Sequence, residues 1–210
     1  MLAALARYKI IPTLNVKDLS GETALRICEA LIKGGLPVME IPFRRHTDSI
    51  ALKEIAAEFP DFLIGAGGIF NSEQLLRAVE CRVKFASSPG VCPDTLKTAA
   101  RQKTAFIPGV VTPTDIQIVL VNGFADFQFF PAQAAGGVHY LETILKPFEH
   151  LPLDVFPKGR ITLEQAAEYL KLPQVTSVVI GEILSDEDIA AERWDKITDA
   201  ARKALDYVNR

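Results

Sequence analysis

The sequence is poor in the two residue types that most often bind metals or cross-link small folds. Cysteine and histidine each occur three times in 210 residues, without a CxxC pair or a histidine cluster. Such an odd, sparse cysteine set is typical of reduced thiols and excludes a disulfide framework. No histidine has a second ligand at helical or strand spacing, so we expect no metal site. The residues concerned are Cys28, Cys81, Cys92, His46, His139 and His150.

An excess of positive charge and long apolar runs are also missing. Lys and Arg number 23 against 26 Asp and Glu, for a net charge of −3, which gives no basic surface for nucleic acid. No apolar run approaches the roughly 20 residues that span a bilayer. Residues 1–9 lack the apolar core of a signal peptide. We therefore expect a cytoplasmic protein with one domain over residues 1–210 and with no nucleic-acid or membrane partner.

Short β-rich runs alternate with longer amphipathic stretches along the chain. Eight such units over this length predict an α/β fold, a parallel (β/α)8 TIM barrel, with a short extra helix in residues 1–7 beneath it. An open doubly wound sheet is the alternative, but no GxGxxG motif follows the first run. The predicted strands are IIPTLNV, PVMEIPF, FLIGAG, VKFASS, TAFIPGVV, ADFQFFPA, LDVFPKG and VTSVVIG.

Polar residues, glycines and prolines collect where these strands end. Active sites of (β/α)8 barrels lie at the carboxyl ends of the strands, so these segments are the candidate site. They comprise Asn15 and residues 40–45, 65–71, 87–90, 108–112, 128–133, 157–160 and 181–182.

One of the predicted strands contains a glutamine inside an apolar run. In ADFQFFPAQ (125–133), alternation sends Phe127 and Phe129 to one side and Gln128 to the other. A polar side chain in such a place is costly unless it has hydrogen-bond partners or a function.

The segments GGLPVMEIPFRR, IGAGGIFN, FASSPG, FIPGVVTPTD, FQFFPAQAAGG and FPKGRIT follow one another over nearly the whole chain. Together they resemble the KDPG and KHG aldolases (2-keto-3-deoxy-6-phosphogluconate and 4-hydroxy-2-oxoglutarate aldolases). The resemblance implies a homotrimeric barrel enzyme that uses no metal or organic cofactor. It implies a class I aldolase, in which a lysine on the sixth strand forms a Schiff base with the C2 ketone of a keto acid. A glutamate on the second strand moves protons, and cleavage of C3–C4 gives pyruvate and an aldehyde.

The chain departs from this family at the nucleophile. The family reads like FKFFPAE on the sixth strand, so Gln128 stands where the lysine is expected, and an amide cannot form an iminium ion. On the seventh strand the family reads like PTGG, whereas FPKGRIT places Lys158 there. Neighbouring strands lie roughly 4.8 Å apart. We therefore predict that the nucleophile has moved to Lys158, with Gln128 as its neighbour; Lys17, after the first strand, is the second candidate.

A lysine at a barrel strand end also commonly binds an anion or pairs with a carboxylate. In this alternative Lys158, Arg160 and Glu182 form a salt-bridged cluster without a Schiff base. Glu182 follows the eighth strand, where the family often has a small residue that helps to hold phosphate. The sequence does not decide between a substrate that carries a phosphate group and one that carries a second carboxylate instead.

The resemblance assigns roles to further strand-end residues. Glu40 is the predicted proton carrier, with a structural partnership to Arg44 as the alternative. Arg44 matches the arginine that holds the substrate carboxylate through paired hydrogen bonds. Gly68 stands where the family usually has a threonine. The other predicted substrate-binding residues are Gly67, Pro89, Phe130, Pro131, Gly159, Arg160, Gly181 and Glu182.

Two other classes of function remain open. One is an inactive aldolase homologue that binds a keto acid, which Gln128, Gly68 and Glu182 would favour. The other is a phosphosugar isomerase or epimerase, which needs a second acid or base facing Glu40, with Asp126 or Glu182 as candidates.

Overall fold

The structure, a computed structural model, describes residues 2–14 and 19–209 and shows eight short parallel strands within those ranges. The fifth strand is interrupted at Pro108 into two segments. Apolar, β-branched and aromatic residues dominate most strands, as expected for strands buried on both faces. The strands are β1 Ile10–Pro12, β2 Val38–Pro42, β3 Leu63–Gly67, β4 Phe85–Ser87, β5 Phe106–Ile107 with Gly109–Val110, β6 Asp126–Phe129, β7 Asp154–Val155 and β8 Val178–Ile180.

Parallel pairing runs through all eight strands and closes on itself. Strand β1 pairs with β8 over three residues, and β2 pairs with β3 over five. Single bridges join β1 to β2, at Thr13 and Glu40, and β7 to β8, at Lys158 and Val179. The Pro108 carbonyl accepts from the Gln128 amide at 2.9 Å, which keeps β5 paired with β6 across the interruption. The predicted (β/α)8 barrel is confirmed.

Helices follow the strands and pack around them. Thr112 and Thr162 accept the hydrogen bonds that begin α6 and α8. The helices are α1 Leu2–Leu5, α2 Gly21–Lys33, α3 His46–Glu58, α4 Ser72–Glu80, α5 Pro93–Gln102, α6 Pro113–Val121, α7 Gly137–Leu145, α8 Leu163–Tyr169, α9 Asp186–Ala190 and α10 Trp194–Val208, with a 3₁₀ turn at Lys146–Phe148.

The short N-terminal helix α1 lies at the amino end of the barrel. The Ser177 hydroxyl, just before β8, donates to the Tyr8 carbonyl at 2.7 Å and the Leu5 carbonyl at 3.2 Å. The helix predicted in residues 1–7 is therefore present as Leu2–Leu5, and Met1 lies outside the described residues.

Strand β6 shows how alternation positions the candidate site. Phe127 and Phe129 are fully buried, and the Phe129 ring stacks on Tyr140 of α7 with 6.0 Å between ring centroids. Gln128, between them, points to the opposite side and lines the cavity at the mouth of the barrel. In the described part of the chain no helix is both long and apolar enough to cross a membrane.

Candidate active site

A cavity of about 900 Å³ opens at the carboxyl ends of the strands. Every predicted site residue except Pro131 lines it. Pro131 is exposed, and its backbone lies against Gly159, where a Cβ atom would approach the Pro131 Cα to 3.2 Å. The expectation that Pro131 forms pocket wall is therefore wrong, whereas Phe130 does line the cavity. Asn15 and Lys17, also considered for the site, lie outside the described residues.

Lys158 and Glu40 are in direct contact inside this cavity. The Lys158 Nζ donates a hydrogen bond to Glu40 Oε1, and the two side chains are only 17% and 2% exposed. Backbone hydrogen bonds hold Lys158 in place, since its amide donates to the Phe129 carbonyl of β6 at 3.0 Å. The amine predicted on β7 and the carboxylate predicted on β2 therefore meet at one point.

Two hydroxyl groups further fix the Glu40 carboxylate. Ser87 of β4 donates to Oε2 at 2.6 Å, and Thr13 donates to Oε1 at 3.2 Å. Gly67 of β3 leaves room for it, because a Cβ atom there would lie 2.2 Å from Glu40 Oε1. No hydrogen bond or ion pair joins Glu40 to Arg44, although both are described, so the alternative role of Glu40 as partner of Arg44 is wrong.

Gln128 is buried and has a partner of its own. The side chain is 2% exposed, and its Nε2 donates to the Ser88 carbonyl at 2.5 Å. This hydrogen bond offsets the cost of placing an amide in an apolar strand. It also anchors the loop after β4, which carries Pro89 into the cavity wall.

Arg44 stands at the exposed rim of the cavity, at the start of α3. The backbone amides of Arg44 and Arg45 donate to the Asp48 carboxylate at 2.8 and 2.7 Å. An aspartate in the first helical turn also complements the helix dipole. Asp48 therefore fixes the backbone from which the Arg44 side chain extends over the mouth.

The loops after β7 and β8 meet on the other side of the mouth. Gly159 has φ +121°, and a Cβ atom there would lie 2.9 Å from the Ala132 amide nitrogen, so the position requires glycine. Glu182 Oε2 accepts from the Leu163 amide at 2.8 Å. No ion pair joins Glu182 to Lys158 or Arg160 among the described residues, so the predicted salt-bridged cluster is wrong. Lys158 pairs with Glu40 and Glu182 with the first turn of α8.

The two candidates for a second acid or base lie at opposite ends of the barrel. Asp126 begins β6 and pairs in register with Asp154 at the start of β7, at the amino end of the barrel. Burial, with the nearby Asp154 carboxylate, raises the pKa of Asp126 to about 6. The remaining candidate, Glu182, is hydrogen-bonded to Leu163. Asp126 is therefore not placed to act opposite Glu40, whereas Glu182 lines the same cavity.

Sequence reasoning assigned no role to three residues of the site, although two of them, Phe70 and Ser87, lie within the candidate segments. Thr13 directly follows the IIP strand, whereas the candidate segment there was Asn15. Ser87 ends β4 two residues after the buried Phe85, so strand alternation was the available signal. Phe70 lines the cavity and is 63% exposed, and nothing in the sequence distinguished it from a core residue.

Gly68 leaves open space in the cavity. Its φ is +75°, and a Cβ atom there would meet nothing within 4 Å. Among the described residues, no group of three or more His, Cys, Asp or Glu side chains is arranged to hold a metal ion. The chemistry that the cavity offers is therefore that of an amine, a carboxylate and hydrogen-bond donors.

Comparison of the sequence with known proteins identifies one family over nearly the whole chain. A family model described as Aldolase: KDPG and KHG aldolase matches residues 2–200. The 2-dehydro-3-deoxy-phosphogluconate aldolase of Pseudoalteromonas atlantica is 34% identical over 196 residues, covering 93% of this chain and 89% of the relative. The KHG/KDPG aldolase of Escherichia coli is 33% identical over 197 residues, covering 94% and 91%.

Solved structures agree with these relatives. KDPG aldolase from Legionella pneumophila, captured with pyruvate at low pH as a covalent carbinolamine intermediate, superposes with a TM-score of 0.90 at 33% identity and covers 97% of both chains. The Zymomonas mobilis 2-keto-3-deoxy-6-phosphogluconate aldolase with 3-phosphoglycerate gives 0.88 at 32% identity, covering 98% of this chain and 95% of that one. The resemblance seen in the strand-end motifs is confirmed, and the chain belongs to the KDPG and KHG aldolase family of lyases.

Proposed function

We propose that the protein is a class I aldolase that cleaves a 4-hydroxy-2-oxo acid into pyruvate and an aldehyde, with Lys158 as the Schiff-base nucleophile. The contact of Lys158 Nζ with the buried Glu40 carboxylate inside the mouth cavity is the observation that carries this proposal. Family membership supports the reaction class, and the position of Gln128 requires that another amine performs it.

The lysine must be neutral before it can attack a ketone. In the proposed reaction Glu40 Oε1 accepts a proton from Lys158 across their existing hydrogen bond. The free amine then attacks C2 of the keto acid and forms a carbinolamine. Loss of water leaves an iminium ion that withdraws electrons from the C3–C4 bond.

Cleavage then proceeds with Glu40 as the proton carrier. Glu40 gives the proton it took from Lys158 to the hydroxyl that leaves as water, and its carboxylate then removes the proton of the C4 hydroxyl. C3–C4 breaks, and the aldehyde leaves while the bond electrons form an enamine on Lys158. Protonation of C3 by the Glu40 carboxyl gives the pyruvate iminium ion. Water releases pyruvate and restores the amine, so one group moves protons in both directions. The hydroxyls of Ser87 and Thr13 keep the carboxylate oriented throughout.

Arg44 and Gln128 hold the substrate in this proposal. Arg44 at the rim binds the carboxylate next to the reacting ketone, since a guanidinium group can make two parallel hydrogen bonds to it. Gln128 anchors the loop that carries Pro89, and its amide lies beside Lys158 on the neighbouring strand. Correct orientation of bound substrate supplies a large part of the rate.

The test is trapping with borohydride. The protein is incubated with pyruvate and sodium borohydride, and peptide mass spectrometry locates any reduced adduct. We expect the adduct on Lys158, its loss in Lys158→Met, and its persistence in Lys53→Met, which removes an exposed lysine of α3. We also expect kcat for cleavage to fall by at least about 10³-fold in Lys158→Met. An adduct on Lys17 would preserve the reaction class and disprove the assignment of Lys158.

A second candidate is a keto-acid-binding homologue without turnover. Two observations support this candidate: Lys158 is already paired with Glu40, and Gln128 is not a nucleophile. Calorimetry separates the two: pyruvate binding by the folded wild-type protein without any trapped adduct would support the binding protein. Lys158→Arg is the matched control, because it keeps a cation beside Glu40 while removing the nucleophile.

We further propose a homotrimer in the cytoplasm, as the resemblance to the family implies. The free state of Cys28, Cys81 and Cys92 supports a reducing compartment. Analytical ultracentrifugation tests the assembly, and a monomer at micromolar concentration would contradict it.

A further inference from the structure

The charges that line the cavity nearly cancel. Among the described lining residues, the charged side chains are those of Glu40, Arg44, Lys158, Arg160 and Glu182, which is three cations against two carboxylates. Lys158 and Glu40 neutralise each other by direct contact. Arg44 and Arg160 then stand against Glu182, so the cavity carries a single net positive charge. A substrate with one carboxylate matches this charge, and one that also bears a phosphate exceeds it.

Part of the place where barrels usually bind phosphate is occupied by the chain itself. In (β/α)8 barrels that place lies between the loops after the seventh and eighth strands and the N-terminus of a short helix. Here the helix is α8, which begins at Leu163. Glu182 Oε2 accepts the Leu163 amide hydrogen at 2.8 Å. One backbone amide at this place is therefore already bound to a carboxylate from the loop after β8.

The other amides of this helix start are also engaged. The Thr162 amide donates to Gln165 Oε1 at 3.0 Å, and the Gln165 amide donates to Thr162 Oγ1 at 3.3 Å. The pKa of the Glu164 carboxyl lies below its usual range because its own backbone amide and the Thr162 hydroxyl donate to it. The amides of Thr162, Leu163 and Gln165 are thus engaged by side chains of this chain, which reduces what this helix start can offer an anion.

Glu182 and Arg160 differ in what they offer a ligand. Glu182 uses Oε2 for α8, and its Oε1 makes no hydrogen bond to the described residues, so it can accept one from a hydroxyl group. Arg160 is exposed and has no hydrogen bond or ion pair with any described residue. Its charge is solvated, as is that of Glu182, which is also exposed, so Arg160 binds anions more weakly than a preformed ring of amide donors would.

We propose that the substrate of this aldolase is an unphosphorylated 4-hydroxy-2-oxo acid with a single carboxylate and an uncharged, hydroxyl-bearing tail, which Glu182 receives by accepting a hydroxyl hydrogen bond. This inference rests on the proposed function, because the keto-acid end is placed at Lys158 and Arg44. The tail then extends toward the loops after β7 and β8, where Glu182 repels a phosphate group.

The experiment compares two substrates that differ in one group. Cleavage is measured with KDPG and with the same keto acid lacking the phosphate ester, each by the pyruvate released. We expect kcat/KM for the unphosphorylated acid to exceed that for KDPG by at least about tenfold. Glu182→Ser removes the carboxylate and frees the Leu163 amide. It should raise kcat/KM for KDPG by about tenfold and lower it for the unphosphorylated acid.

Glu182→Gln is the matched control. It keeps an oxygen that can accept from Leu163 but removes the charge, so the gain toward KDPG should be smaller than in Glu182→Ser. Trapping of pyruvate on Lys158 shows that each variant is folded and reactive. A wild-type preference for KDPG, or a Glu182→Ser variant that traps pyruvate yet gains nothing toward KDPG, would overturn the proposal.

A binding measurement separates this proposal from the proposed function. Calorimetry with glycerate and 3-phosphoglycerate needs no turnover, so it reports on the tail region even if no pyruvate adduct forms. Tighter binding of glycerate supports the inference. Tighter binding of 3-phosphoglycerate overturns it and leaves the Schiff-base chemistry of Lys158 untouched.

Discussion

The barrel carries a pair of ionisable side chains at each end, and the two pairs are built in opposite ways. At the carboxyl end, Lys158 and Glu40 carry opposite charges and lie in contact inside a cavity. At the amino end, Asp126 and Asp154 begin neighbouring strands and carry like charges. The first pair needs its charges for chemistry. In the second pair, burial and the neighbouring Asp154 carboxylate disfavour the ionised form of Asp126. The pKa of Asp126 therefore rises to about 6.

The two pairs differ in how far the charge of each carboxylate is compensated by neighbouring groups. Glu40 is almost completely buried, and its charge is compensated by a lysine and two hydroxyls. The Asp126 side chain is only half-buried, and its neighbour Asp154 is engaged by the Thr176 hydroxyl at 2.5 Å. We therefore expect substitutions at the carboxyl end to act on catalysis and substitutions at the amino end to act on stability.

The largest effect that tests this comparison should come from Glu40→Gln. The amide oxygen can still accept from Lys158 and Thr13, and the amide nitrogen can donate to the Ser87 hydroxyl, but the side chain cannot take up a proton. We expect kcat for cleavage to fall by about 10²–10⁴-fold, the range typical of lost general acid–base catalysis. Pyruvate release measures this directly.

The control is the corresponding carboxylate-to-amide change at the other end, Asp126→Asn. It should leave kcat/KM within about twofold, since the residue lies away from the mouth. A Glu40→Gln enzyme with near wild-type kcat would remove Glu40 from the reaction.

The second effect concerns the space around Glu40. Gly67→Ala would place a Cβ atom 2.2 Å from Glu40 Oε1, so the carboxylate must move. A displacement of about 1 Å at a catalytic group commonly costs on the order of 10²-fold in rate, and overpacking costs about 1–3 kcal/mol of stability. Both kcat and the free energy of unfolding in urea should therefore fall.

Gly90→Ala is the matched control for Gly67→Ala. Gly90 also lies in a loop region near the mouth, but a Cβ atom there meets nothing within 4 Å, and no positive φ is recorded for it. We expect near wild-type kcat and stability. If Gly67→Ala behaved like Gly90→Ala, the carboxylate would have more freedom than its three hydrogen bonds indicate.

The sequence predicts the ends of the barrel better than the contacts within them. Strand and helix alternation, with polar residues at the strand ends, placed Glu40, Gln128 and Lys158 around one mouth, because parallel strands share a common edge. The pairing of Lys158 with Glu40 depends on side-chain directions across several strands. Nothing in the spacing of those residues along the chain distinguishes it from a pairing with Glu182.

The cap of α8 was unpredictable for a similar reason. Glu182 binds an amide 19 residues earlier in the chain, and such a contact arises only when the loops after β7 and β8 are folded together. The predicted role of Pro131 failed because the residue is exposed and is not among those that line the cavity. Sequence patterns report which edge a residue occupies, whereas the closed barrel determines which partner it meets.

The smallest effect lies at the amino end and concerns pH. Burial, reinforced by Asp154, raises the folded-state pKa of Asp126 from 3.8 to about 6, so the folded protein binds this proton more tightly than the unfolded chain does. The stabilisation from that proton is therefore fully present below pH 4 and is lost as the pH rises toward and through about 6. For a half-exposed group we expect a change on the order of 1 kcal/mol over this window.

Asp126→Asn should remove this part of the pH dependence and make the protein more stable than wild type at pH 8, with little difference at pH 4. The free energy of unfolding in urea, measured from pH 4 to pH 8, checks both the sign and the window. Asp61→Asn, at an exposed carboxylate, serves as the control and should leave the slope unchanged. If Asp126→Asn lowered stability at pH 8, the carboxylate would be contributing a favourable interaction there. The proposed contrast between the neutralised pair Lys158 and Glu40 at the carboxyl end and the repelling carboxylates of Asp126 and Asp154 at the amino end would then be wrong.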